Sequence, residues 1–122
     1  MKPILSIAAI TLAALLLLGC NFAEEIEAIT IHDVDISRIQ DGVYRGTEKH
    51  FPVTAVVDVE VRGGRIVNID VIRHLHGPGH GADAIAQRVL DQQSLMVDAV
   101  SGATGSSQVV LKAIERALSG DR

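Results

Sequence analysis

The sequence predicts an α+β domain, a small antiparallel meander with two helices packed on one face. Three observations predict it. Residues 53–61 alternate strictly, with Val53, Ala55, Val57, Val59 and Val61 on one side and Thr54, Val56, Asp58 and Glu60 on the other. Such alternation makes a half-buried strand, because successive side chains point to opposite faces. Arg62-Gly63-Gly64-Arg65 follows at once, and glycines there supply the positive φ of a tight hairpin. Two stretches of helical period come only after the strands, which places the helices together on one side of the sheet.

Taken in order, residues 21–38 read as a tether that turns into an edge segment. Glu24, Glu25 and Glu27 open it, and Ile29, Ile31, Val34 and Ile36 alternate in part, as in a short edge strand. Asp41-Gly42 is a turn signal, and Val43-Tyr44-Arg45-Gly46 begins the first strand. After the second strand and its turn, Ile66 to Ile72 runs back, with Val67, Ile69 and Val71 expected on one face. His74 to Gly81 reads as a loop, since glycine and proline occupy half of it. Ala82 to Leu90 reads as a helix with Ala82, Ile85, Ala86 and Val89 on one side. A short apolar link, Leu95-Met96-Val97, leads to Asp98. The last helix spans about 106–118, with Val110, Ala113, Ile114, Ala117 and Leu118 as its apolar stripe. Thr104 or Ser106 can cap its start and Gly120 can close its end. The domains expected are a leader at 1–19, the tether and possible edge strand at 20–38, and one domain at 39–122.

The amino terminus points to a compartment. Met1-Lys2 is a short basic start, and the apolar run from Ile4 to Leu18 is broken only by Ser6 and Thr11. A basic start, a short apolar core and a small residue at its end have the form of a signal peptide. The run is too short for a comfortable membrane span. Leu17-Leu18-Gly19-Cys20 resembles a bacterial lipobox, in which the cysteine is lipidated and becomes the mature terminus. Leu18 departs from that pattern, where a smaller residue is commoner. Cys20 is the only cysteine, so no internal disulfide forms. The location this implies is extracytoplasmic and membrane-anchored.

Removing 1–19 takes Lys2 with it and leaves 10 Lys and Arg against 15 Asp and Glu, a formal charge of −5. With no basic stripe and no aromatic-rich strand, nucleic acid is not an expected partner. Phe22, Tyr44 and Phe51 are the only aromatic residues. A flat ligand would therefore lean on aliphatic side chains, on Tyr44 or Phe51, or on another protein.

The chemistry concentrates in Asp98-Ala-Val-Ser101-Gly102-Ala103-Thr104-Gly-Ser-Ser107. Gly102 and Ala103 carry almost no side chain, so a large group can approach the Thr104 hydroxyl closely. The following helix offers unpaired N–H groups and a positive dipole end, a natural seat for phosphate. The histidines compete for attention. His74, His76 and His80 lie within seven residues, and imidazoles at that density can bind zinc, copper or nickel. Their spacing matches no strong metal signature, so solvated loop histidines, a role toward a cofactor and a metal site all stay open.

The segment around Thr104 resembles the flavinylation motif of the FMN-binding domain family. Asp41-Gly-Val-Tyr-Arg-Gly46, the hairpin, the His/Gly/Pro loop and Gln93-Ser94-Leu95 follow the order usual in that family, over roughly 39–118. Relatives of this kind include FMN-carrying subunits of the sodium-pumping NADH:quinone oxidoreductase and of the Rnf complex, and small lipoproteins. The resemblance implies that a flavin transferase links FMN to Thr104 through a phosphoester. It gives Asp98 the role of the acidic residue that opens the motif, completed by Ser101, Gly102 and Ala103. Tyr44 and His74 are further candidates for contact with the cofactor. No catalytic acid, base or nucleophile is then needed, because the cofactor carries the redox chemistry. The expected function is an electron carrier, or a module of an oxidoreductase, that meets redox partner proteins at the membrane. The alternative is a lipoprotein that binds a metal or small ligand through His74, His76 and His80 without redox work.

Overall fold

A computed structural model of the chain describes residues 29–75, 79–100 and 104–120, with the backbone alone described for Leu75, Gly79 and His80. Strand β1 spans Gly42–His50, β2 Val53–Arg62 and β3 Arg65–Leu75. Helices α1, Gly79–Gln92, and α2, Thr104–Ser119, follow. The strands form one antiparallel sheet in the order β1-β2-β3, as expected of a meander. Helix α2 lies over β1 and β2, and α1 lies over β3. The fold is the α+β class that the alternation and the late helices predict.

The inward face of β2 is the predicted one. Val53, Ala55, Val57, Val59 and Val61 are all buried against the two helices. Fully burying one such valine contributes roughly 1.5–3 kcal/mol. The predicted α2 stripe is buried in full, and Val109 and Leu111 join it. Leu111 is covered because Ile29 and Ile31 pass beside it, with Leu95. Gly63 and Gly64 take φ of 58° and 72°, and Gly120, just past α2, takes 76°.

Two expectations about strands fail. Residues 29–35 form no strand, and Ile36–Arg38 is a single 3-10 turn whose cap is the Asp35 carboxylate. Ile36 is buried there, so the apolar positions serve packing without a strand ladder. Along β3, Ile66 and Ile69 are buried while Val67 is exposed. The reason is the register: Val61 pairs with Ile66 and Glu60 with Asn68, which leaves Val67 as an extra residue in a bulge. A second irregularity pairs Val57 with Val71 and Val56 with Arg73, leaving Ile72 over. Val67 and Ile72 are both exposed as a result.

The described links are held by side chains. Gln93, with φ of 52°, ends α1 and accepts from the Ile66 N–H at 2.8 Å while its amide nitrogen donates to the Ile66 and Leu90 carbonyls. It thus serves the backbone of edge strand β3 as a neighbouring strand would. Asp33 accepts from the Leu95 N–H at 3.1 Å and the Ser94 hydroxyl at 3.0 Å, fastening the amino-terminal segment to the link.

Candidate functional site

Thr104 is the first residue of α2, two residues earlier than the periodicity predicts, and its side chain is exposed. The first turn of α2 holds no acidic residue. The N–H groups and positive end of the helix are therefore not neutralised by a carboxylate of that turn, which favours an anion there. Ser101, Gly102 and Ala103 lie outside the described residues.

The approach to Thr104 is fastened at two points that sequence reading missed. Arg88 of α1 donates from Nη1 to the carbonyls of Asp98 and Ala99, at 2.6 and 3.1 Å. Ser107, fully buried one turn into α2, accepts the Val100 N–H at 3.1 Å. The segment that carries the motif's acidic end is thereby tied to both helices. Ser107 was legible in part. It stands in phase with Val110 and Ile114 on the apolar stripe, and a serine at such a position is buried and needs a partner. Arg88 gave no comparable signal, because its acceptors are backbone groups ten and eleven residues away. Asp98 itself is exposed and lines a cleft with Met96, Val97 and Gln108.

His74 is not in a loop. Strand β3 continues to Leu75, and the irregularity at Ile72 shifts the parity so that His74, not Arg73, pairs with Ala55. Ala55 is an inward position, and His74 shares its face. Both ring nitrogens are buried and have no hydrogen-bond partner among the described residues. Burial holds the imidazole below its ordinary pKa, while the Asp83 carboxylate works weakly the other way. A buried polar group without a partner is costly, and an incoming ligand would satisfy it. His76 lies outside the described residues, and His80 falls in the first turn of α1 rather than in a loop. Among the described residues no three His, Cys, Asp or Glu side chains cluster as metal ligands do.

Tyr44 is inward and half-buried, but its hydroxyl donates to the Gln40 carbonyl at 2.7 Å. It pairs with Val59, whereas His74 pairs with Ala55. Four residues of strand and two strand spacings separate them, roughly 13 Å along the sheet and roughly 10 Å across it. The structure does not bring Tyr44 and His74 together. Cys20 lies outside the described residues.

Residues 49–119 match the model of the FMN-binding domain, more than half of the chain. Comparison with curated proteins finds no match. The chain belongs to the FMN-binding domain family, and flavin binding is the property this membership assigns. The described residues fit such a cofactor at two places: an exposed hydroxyl opening a helix whose first turn lacks carboxylates, and a buried imidazole with unused nitrogens.

Proposed function

We propose that this protein is an extracytoplasmic electron-transfer module, anchored to a membrane through lipidated Cys20 and carrying FMN covalently on Thr104. The exposed hydroxyl of Thr104 at the start of α2, reached through a segment fastened by Arg88 and Ser107, carries this reading. In the maturation step Thr104 Oγ1 bonds to the phosphorus of an activated FMN donor. The hydroxyl proton and the donor's leaving group depart. A flavin transferase supplies the catalysis, and Asp98, Ser101, Gly102 and Ala103 form the segment it reads. The first turn of α2, without a carboxylate, would favour the charge of the phosphoester, while Arg88 and Ser107 keep its approach in place. His74 offers hydrogen-bonding nitrogens on the inner face of the sheet to polar atoms of the cofactor. FMN, when bound, supplies one- and two-electron exchange, and the chain supplies no catalytic group of its own.

Covalent attachment suits this location, because it fixes the cofactor's effective concentration where free FMN would be diluted away. No helix among the described residues is long and apolar enough to cross a membrane. Lipidation of Cys20 would supply the anchor. Redox proteins at the membrane are the expected partners. Protein exported together with a flavin transferase should keep a visible flavin spectrum after desalting in denaturant. A spectrum lost at that step contradicts the covalent link. Cys20→Ser should move the protein out of the membrane fraction, and a wild type already found soluble contradicts the anchor.

A further inference from the structure

Phe51 occupies the tip of the β1–β2 hairpin and is 91% exposed. An aromatic side chain held out in this way covers nothing of its own domain. Lys49 lies beside it on the outward face of β1, and Arg73 lies on the same face of β3, one row back. Both are exposed, and neither pairs with a carboxylate among the described residues. Exposed Ile72 adjoins Arg73.

Behind the tip, His32, His50, Lys112 and Arg116 line a shallow cleft with Glu48. Glu48 is buried and paired with Arg116 and, at 2.7 Å, with His50 Nε2. Glu115 is paired with Lys112 at 2.9 Å. On the outward face nearest the tip, the two rows Lys49/Thr54/Leu75 and Thr47/Val56/Arg73 carry two cations and no carboxylate, although the chain after residue 19 has a formal charge of −5.

The amino-terminal segment meets the same end. Ile29 and Thr30 line the cleft, and Lys112 Nζ donates to the Thr30 carbonyl at 3.1 Å. Nine residue steps join Ile29 to Cys20, a reach of at most about 30 Å. With Cys20 lipidated, Ile29 and the cleft it lines stay within that distance of a bilayer, so the neighbouring tip meets the surface at high effective concentration. An aromatic residue flanked by basic ones suits the headgroup region, where the ring meets the acyl boundary and the cations meet phosphates.

We propose that the Phe51 hairpin tip, with Lys49 and Arg73, is a second membrane contact that enters the interface of an anionic bilayer and orients the domain. This rests on the lipid-anchor reading of Cys20. The several acyl chains of a lipidated Cys20 secure residence at the membrane but leave the domain free to tumble on its tether, and this tip fixes its orientation.

The chain has no tryptophan, so one substitution makes a unique reporter. The full lipidated protein carrying Phe51→Trp would be placed in vesicles of phosphatidylcholine and phosphatidylglycerol, with ordinary or brominated acyl chains. Taking the ratio of the two emissions cancels quenching by the flavin. Brominated lipid should lower the emission of Phe51→Trp at least twofold. The effect should shrink when Lys49→Glu and Arg73→Glu are added, each basic residue being worth roughly fivefold in surface binding. Val43→Trp, exposed at the far end of the same sheet face and roughly 26 Å away along β1, should be unaffected. A lipidated protein whose Phe51→Trp emission is the same in both vesicles overturns the tip contact and leaves the anchor standing. An intact mass showing no lipid on Cys20 overturns the anchor and the tip contact together.

Discussion

Gly46 decides how closely α2 can approach the sheet, and through α2 where Thr104 is held. A Cβ built on Gly46 would run into the Ala113 carbonyl oxygen, with Ala117 N at 2.7 Å and Ala113 C at 2.9 Å. All three atoms are backbone, so no side chain can swing aside. Gly46→Ala must lift α2 from β1 by something on the order of 1 Å, which forfeits a quarter to a half of the dispersion energy of each contact it opens. Overpacking costs about 1–3 kcal/mol where neighbours can adjust. Here they cannot, so about 3 kcal/mol is expected, a large part of the 5–15 kcal/mol typical of a domain. For a domain of this size that is a fall in Tm of roughly 12–24 °C. Gly42→Ala is the control, because its Cβ would sit 3.6 Å from the Tyr44 ring, an ordinary contact. Thermal unfolding followed by far-UV circular dichroism measures both variants. Flavin incorporation near the lowered Tm should fall with the folded fraction. A Gly46→Ala protein as stable as Gly42→Ala would refute the close seating of α2 on β1.

Ser107→Ala removes the acceptor of the Val100 N–H and should cost about 1–2 kcal/mol by denaturant unfolding, with slower flavin incorporation at fixed transferase; unchanged values would mean that Ser107 does not hold the segment. His74 gives a pH dependence of definite sign. Its pKa is depressed in the folded state, so the unfolded chain binds the proton more readily. Stability should be full above the unfolded value of about 6.5 and be lost as pH falls below it toward the folded pKa. Comparing Tm at pH 7.5 and 5.5, His74→Leu should lose less than the wild type, and equal losses would contradict the burial of the imidazole. Asp58, held low by its Arg45 hydrogen bond, acts only in more acid solution and does not confuse that window. Replacing His74, His76 and His80 together with Asn should leave flavin attachment intact and shift its potential. Near-stoichiometric zinc or copper in the wild type, lost in that variant with thermal stability, would favour the metal-binding alternative.

The sheet and helices were legible wherever one period ran without interruption. Val53 to Val61 shows its buried face in the sequence, and the α2 stripe does the same. What could not be read were the places where a tertiary contact overrides local pattern. The extra residues Val67 and Ile72 carry no mark of a bulge, yet they reverse which side of β3 faces inward. The continuation of β3 to Leu75 makes His74 a strand residue, and the irregularity at Ile72 turns it inward. Ile29, Ile31, Val34 and Ile36 alternate like a strand but pack as an irregular strap, because Asp33 and the backbone of His32 bond to Leu95 and Glu115 rather than to a strand edge. Thr104 was legible as a candidate from its small neighbours and the helix beyond. The Arg88 and Ser107 contacts that fasten its approach were not, since they join residues seven to eleven positions apart through backbone groups.

The attachment of FMN to Thr104 is tested most directly by peptide mass spectrometry. Protein exported with a flavin transferase would be digested with trypsin, and residues 89–112 recovered as one peptide. Its mass should exceed that of the unmodified peptide by FMN less one water, with fragmentation placing the addition on Thr104. Thr104→Val, which keeps the shape and removes the nucleophile, should fold and yield only the unmodified peptide. Flavin retained by the Val variant, or mapped to Ser101, Ser106 or Ser107 in the wild type, would contradict the assignment.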